Sequence, residues 1–243
     1  MKEEVIIFVQ GKRQRQAREG AKKLYKKFRR EKEIKIGRDR FIDVMRESGL
    51  LVERKRRWAR TTDSRHGFRM HKNLVKDLDH IEVGSVVAGD ITYLDTENGF
   101  CYLSLLTEMR SRKIVGYALS ENLQVEGCLK ALEMAIRNMP KGFIHHSDRG
   151  IQYCCRAYVG RLENVEAKIS MTEENHVYEN AMAERVNGIL KQELGLDWKF
   201  RTLEEARQAV KEAVEIYNEE RLHMSLDYKT PNEVFIANIG QWN

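Results

Sequence analysis

Apolar residues recur at helical spacing early in the chain. Between residues 15 and 30, Ala21, Leu24, Tyr25 and Phe28 fall at i, i+3, i+4 and i+7 with basic residues on the other faces, which predicts an amphipathic helix. Residues 39–48 predict a second one. Phe41, Ile42 and Met45 make its apolar side, Asp39 is placed to cap it and Gly49 to close it. Two short basic helices joined by a connector containing Gly37 are compatible with a helix-turn-helix, a pattern that many small helix pairs share. Residues 61–82 carry little apolar periodicity and read as a linker.

From Gly84 the pattern shortens to that of strands. Val86–Leu94 is strand-like, Asn98-Gly99 is a strong hairpin signal, and Phe100–Leu106 is the expected return strand. Ile114–Leu119 is a third strand. Val125, Cys128, Leu129, Leu132, Ile136 and Met139 then mark an amphipathic helix that Pro140-Lys141-Gly142 ends. Phe143-Ile144 begins a short buried strand running into His145-His146-Ser147-Asp148-Arg149-Gly150. A helix over about 151–163, a strand near Ala167–Ser170 and a helix from about Glu179 to Leu194 follow. Thr202-x-x-Glu205 and Thr230-Pro231-Asn232-Glu233 are capping boxes that open two more helices. The order of elements predicts an α/β fold for residues 81–243, preceded over residues 1–80 by a small all-α basic segment and its linker.

Charge separates the same two regions. Through His80 there are 25 Lys and Arg against 12 Asp and Glu; the remainder holds 18 against 25. A basic first third on a mildly acidic body suggests an arm for a polyanion such as nucleic acid. The run Arg54-Lys55-Arg56-Arg57-Trp58-Ala59-Arg60 suits phosphate tracking with one base stacked on the Trp, or a solvated linker. No run of about 18 apolar residues exists to span a membrane, and Val5–Val9 is too short for a signal peptide. Cys101, Cys128, Cys154 and Cys155 lack zinc or C-x-x-C spacing and read as buried thiols of a reducing cytoplasm. No zinc is expected.

Three acids stand where strand and helix ends can meet. Asp90 lies within the first strand, sharing a face with Thr92 while Ile91 and Tyr93 share the other. Asp148 lies at the exit of the fourth strand, and 35 residues separate it from Glu184 on the later helix. On that helix Asn180, Glu184, Asn187 and Lys191 form one polar stripe, opposite Met182, Val186 and Ile189. Crowded carboxylates repel one another unless a cation compensates. Hard oxygen ligands suit Mg²⁺ or Mn²⁺, and a pair of such ions supports in-line displacement at phosphorus. Taken singly, each acid is equally at home at a strand end, in a turn or on a solvated helix face. His145 and His146 beside Asp148 read as strand-end packing, Met134 and Met139 as helix packing, and His223 as a residue near the polyanion.

Four motifs in order sharpen this picture: Gly89-Asp90-Ile91-Thr92-Tyr93-Leu94; His146-Ser147-Asp148-Arg149-Gly150-Ile151-Gln152-Tyr153; Ser170-Met171; and Glu179-Asn180-Ala181-Met182-Ala183-Glu184 through Lys191. Together they resemble the catalytic core of bacterial insertion-sequence transposases of the DDE class, in the retroviral-integrase superfamily. Tyr217-Asn218, Arg221, His223, Leu226 and Pro231 resemble the same family's C-terminal signature, and the likeness spans about residues 17–236. The resemblance implies a ribonuclease-H-like mixed sheet flanked by helices, preceded by a helix-turn-helix-like DNA-binding segment. It implies that Asp90, Asp148 and Glu184 bind two Mg²⁺ or Mn²⁺ ions and catalyse DNA cleavage and strand transfer at insertion-sequence ends. Lys191 would contact DNA and Asn180 would position substrate, with Arg54, Lys55, Arg56 and Arg57 as further DNA contacts. The implied partners are double-stranded terminal repeats and target DNA, further copies of the chain on that DNA, and an upstream-frame helix-turn-helix subunit, all at the nucleoid in a bacterial cytoplasm.

The chain departs from the family pattern at Val87 (usually Trp), Gly89 (Thr), Asn175 (Gly), Glu179 (Asp) and Leu222 (Pro), while keeping all three acids. Two other readings stay open at this point. One is a catalytically decayed copy retained as a DNA-binding regulator, which loss of an acid would favour. The other is a ribonuclease-H-like nuclease for hybrids or junctions, which needs neither the basic N-terminal helices nor the Tyr217–Pro231 signature.

Overall fold

A computed structural model describes residues 1–52, 67–76, 78–173 and 181–239. Three helices open the chain: α1 (Lys2–Arg13), α2 (Ala21–Glu31) and α3 (Arg38–Glu47). They close on a core of their own, in which Val5, Phe8 and Val9 of α1 meet Leu24 and Phe28 of α2 and Phe41, Val44 and Met45 of α3. The aromatic rings are the hub, with Phe28 5.1 Å from Phe8 and 5.3 Å from Phe41 between centroids. The helix expected over residues 15–30 therefore begins only at Ala21, because Gly20 is its extended N-cap. Gly37, not Asp39, caps α3; Asp39 instead ion-pairs with Arg38 at the surface. Gly49 closes α3 as expected, at φ +66°.

The sheet is built from β1 (Val86–Thr96), β2 (Gly99–Glu108), β3 (Ile114–Ser120), β4 (Ile144–Ser147) and β5 (Lys168–Met171), in the order β3-β2-β1-β4-β5. β1, β2 and β3 are antiparallel, and the hairpin turns at Gly99 with φ +112°. β4 runs parallel to β1, and β5 parallel to β4. A two-residue strand, β6 (Lys199–Phe200), pairs parallel with the far end of β1. Its brevity leaves no periodic signal in the sequence. α4 (Val125–Ile136) lies directly on β3, because a Cβ at Gly116 would come within 2.1 Å of the Ala131 carbonyl oxygen.

The helix expected over 151–163 is broken at Cys155 into α5 (Ile151–Cys154) and α6 (Arg156–Asn164). α7 (Ala181–Gln192) and α8 (Leu203–Glu219) cover the other part of the sheet: Val186, Ile189 and Leu190 pack on Leu94, Cys101, Leu103 and Leu105. Thr202 caps α8 by accepting from the Glu205 N–H. α9 (Pro231–Ile239) opens with a reciprocal capping box between Thr230 and Glu233. Among the described residues no helix is long and apolar enough to cross a membrane.

The part of the expected linker that is described lies against the sheet edge. Leu74 N–H donates to Ser170 Oγ at 2.8 Å, and Lys76 pairs with Glu173 at 2.6 Å. Part of the basic surface of α2 is likewise engaged within the protein. Lys23 pairs with Glu193 just beyond α7, Lys27 with the buried Glu19, and Arg30 donates to the Tyr228 carbonyl. Arg221 binds Glu193 through two parallel hydrogen bonds of 2.9 Å, and burial lowers the Lys23 ammonium to about 8. Part of the positive charge that the sequence assigns to a polyanion thus holds the three helices on the C-terminal half.

Candidate active site

The register of β1 with β4 determines where the first two acids stand. Gly89 pairs with Ser147 in parallel, so Asp90 and Asp148 are the next residues along two adjacent strands. β4 ends at Ser147, and Asp148 turns there, its Oδ1 accepting from the Gly150 N–H at 3.0 Å. Arg149 ties this turn to β5's exit by donating to the Thr172 carbonyl at 2.7 Å.

Beyond Gly89, β1 loses β4 as a neighbour, and β6 does not join until Asp95. Residues 90–94 therefore have no strand on that side among the described residues. α7 reaches into this gap. Its Asn187 donates from Nδ2 to Oδ2 of Asp90 at 2.6 Å, and one turn later the Lys191 ammonium stands 4.4 Å from the ring centroid of Tyr93. Glu184 is exposed in the first turn of α7, on the same side as Asn187.

Electrostatics ties the acids together. Burial, and then the charge of Asp148, push the Asp90 carboxyl up to about 7, and Glu184 adds to the rise. Asn187 opposes it by hydrogen-bonding the charged form. Burial lowers the Lys191 ammonium while Asp90's charge raises it. Among the described residues no three His, Cys, Asp or Glu side chains converge closely enough to hold one ion. On Asp90 the charge of Asp148 acts strongly and that of Glu184 more weakly.

The polar stripe expected on α7 needs one correction. Asn187 is buried, because its amide is spent on Asp90, and its Oδ1 has no partner among the described residues. Sequence reasoning placed Asn187 on the right face without assigning it a role; its signal was a polar residue three positions after Glu184 on a helix otherwise packed there. Asn180 and the run Arg54–Arg57 lie outside the described residues.

The histidines belong to packing. His145 Nε2 and Tyr158 Oη are 2.9 Å apart in the core, and burial drives the imidazole down to about 3, so it is neutral. His146 Nδ1 meets Ser170 Oγ at 2.9 Å. His223, expected near the polyanion, is buried and accepts from Arg221 Nη1 at 3.0 Å, inside the ionic cluster around Glu193. Cys101, Cys128 and Cys154 are buried, and Cys155 is half-buried.

Comparison with known proteins identifies the family. Residues 80–176 match one family model described as an integrase core domain, and residues 165–231 match a second of the same description. The chain is 36% identical over 202 residues to the insertion element IS600 uncharacterized 31 kDa protein of Shigella sonnei, covering 82% of this chain and 74% of that one. It is 31% identical over 231 residues to the transposase for insertion sequence element IS629 of the same species, covering 91% and 76%. Against the IS904 transposase of Lactococcus lactis it is 39% identical over 150 residues, covering 60% of this chain and 58% of that protein. Among solved structures, the HTLV-2 integrase catalytic core in complex with magnesium superposes with a TM-score of 0.51 at 16% identity, over 63% of this chain and 97% of that one. A simian T-cell lymphotropic virus intasome superposes at 0.54 and 14%, over 89% and 70%. These structural likenesses show the ribonuclease-H-like fold.

Proposed function

Because this chain belongs to the integrase-core transposases of bacterial insertion sequences, we propose that it cleaves and joins double-stranded DNA at insertion-sequence ends, with Asp90, Asp148 and Glu184 as its catalytic acids. The observation that carries this reading is that parallel strands β1 and β4 bring Asp90 beside the turn at Asp148, with Asp90 bonded by Asn187 from the helix that bears Glu184.

The donor set fits divalent cations. Burial, and then the charge of Asp148, make the charged Asp90 carboxylate costly, and a cation bound there would relieve that cost. All three side chains offer the hard oxygen that Mg²⁺ and Mn²⁺ prefer. The magnesium bound by the HTLV-2 core supports the same choice. When bound, two such ions would supply activation of the attacking oxygen and charge stabilisation of the leaving one. Asp90 and Asp148 would hold the ions, Asn187 would fix the Asp90 carboxylate, and Glu184 would add a ligand from α7 once the acids draw together around the metal. Lys191, on which Asp90's charge acts, would grip a phosphate, and the attacking water or DNA 3′-OH would come from solvent or substrate.

DNA contacts at Arg54, Lys55, Arg56, Arg57 and Asn180 rest on sequence alone. Joining two ends calls for at least two copies on the DNA, and an upstream-frame helix-turn-helix subunit is a further partner. The division into a DNA-binding segment (1–80) and a catalytic core (81–243) is supported by the separate apolar core of the three N-terminal helices. All three acids are present, which favours an active enzyme over a decayed regulator. The test is a joining assay with a labelled terminal-repeat duplex and a plasmid target. Mg²⁺-dependent joined products that duplex DNA competes away, and an RNA–DNA hybrid does not, support the proposal. Cleavage confined to the hybrid would make the chain a ribonuclease-H-like nuclease instead.

A further inference from the structure

The gap in β1 that admits α7 also opens onto an aromatic pair. Tyr93, three residues beyond Asp90, is half-buried, and its ring centroid lies 4.9 Å from that of Phe100 across the β1–β2 hairpin, edge to face. Phe100 is 58% exposed and belongs to no core cluster. Phe100 therefore leaves most of an apolar ring in solvent, edge to face with Tyr93. On its other side Tyr93 carries the Lys191 ammonium at 4.4 Å. Among the described residues Lys191 makes no salt bridge with a carboxylate, although Asp90's charge acts on it. Asp90 and Tyr93 point to opposite faces of β1, and Lys191 links them: Asp90's charge acts on its ammonium, which stands over the Tyr93 ring beside the exposed Phe100.

We propose that Tyr93 and Phe100 form a base-stacking subsite for the nucleotide that flanks the scissile phosphate, with Lys191 holding the phosphate between that base and the catalytic acids. This rests on the transposase reading above. The chemistry fits a nucleotide on both counts. The ammonium seats an anion, and the exposed Phe100 ring beside Tyr93 offers a planar, apolar face next to it. Stacking is tolerant of sequence because every base has a π-face, so the subsite would serve a frayed or unpaired end whatever its base. It would keep that base from re-pairing and hold the phosphate in line for attack.

The test uses the full chain and a duplex of the terminal repeat with 2-aminopurine at the first nucleotide on either side of the cleavage junction, in Ca²⁺ to hold the complex without turnover. Wild type is expected to quench the probe at one of the two positions. Phe100→Ala and Tyr93→Leu are expected to lose more than half of that quenching and to bind a repeat with a single-stranded end about five-fold or more weakly. Tyr93→Phe, which keeps the ring, should retain both. Phe100 is a surface residue, so its variant folds; unchanged thermal midpoints check the others. Equal quenching by wild type and both variants, with wild type still nicking the repeat in Mg²⁺, would overturn the subsite and leave the transposase reading intact. Failure of wild type to bind or nick any duplex would overturn both. Loss of self-association in Phe100→Ala with quenching unchanged would assign the ring pair to contact with a second copy, and that also overturns the proposal.

Discussion

Asn187 hydrogen-bonds Asp90, Nδ2 to Oδ2 at 2.6 Å, and so joins the helix that carries Glu184 to the central strand. The bond orients the Asp90 carboxylate and favours its charged form. It is also the interaction by which α7 is located over the gap in β1. Replacing Asn187 with Ala is expected to reduce nicking and joining about 10- to 100-fold, as for other residues that orient metal ligands, and to raise the Mn²⁺ concentration needed for half-maximal activity. Repeat binding should change little. A variant with normal metal dependence would show that the bond is only structural.

Asp90 carries a cost that a cation removes. Its folded pKa, about 7, lies above the ordinary 3.8, so between those values the folded state binds more protons than the unfolded one. The sign follows: stability falls as pH rises through that window, and the cost is fully present above about pH 7. Asp90→Asn should therefore stabilise the metal-free protein at pH 8 by about 1–3 kcal/mol, a gain that vanishes toward pH 4. Urea unfolding in EDTA at several pH values measures it. A variant less stable than wild type at pH 8 would contradict the electrostatic account of the pair.

The ionic cluster at Glu193 fastens the three N-terminal helices to the catalytic half. Glu193 faces Lys23, whose side chain is 12% exposed, and Arg221, at 4%. Glu193→Gln leaves both cations confronting each other, and about 2–4 kcal/mol of stability should be lost. Replacing Glu193 and Lys23 together should recover part of it. A loss below about 0.5 kcal/mol would place the cluster among solvated surface pairs.

The basic run Arg54–Arg57 is expected to touch phosphates without reading sequence. Neutralising all four should weaken binding to every duplex alike, and should flatten the plot of log affinity against log salt by about 0.9 for each phosphate that the run would otherwise neutralise. Unchanged slopes would assign phosphate binding to other cations, such as those on α3.

Sequence alone revealed the local features. The period-2 pattern and Asn98-Gly99 located the hairpin, the capping boxes located α8 and α9, and Asp90, Asp148 and Glu184 stood out through the family resemblance of the motifs around them. What it hid was non-local. Val5–Val9 reads only as too short a leader, although Val5, Phe8 and Val9 stand at i, i+3 and i+4, since their meaning depends on Phe28 and Phe41. The α2 lysines read as free charge because nothing nearby in sequence announces Glu193 or Glu19. Asn187 read as a solvated stripe residue because its partner lies 97 positions earlier. His223, expected near DNA, is instead buried against Arg221, a contact that its position in sequence does not announce.

The most direct measurement is nicking and strand transfer on a terminal-repeat duplex by wild type and Glu184→Gln, each with Mg²⁺, Mn²⁺ or EDTA. Three acids acting as one unit predict metal-dependent products from wild type and a loss of at least about a thousand-fold in the variant, with repeat binding preserved. Products from Glu184→Gln at wild-type rate would contradict the assignment of Glu184 and of the catalytic triad with it.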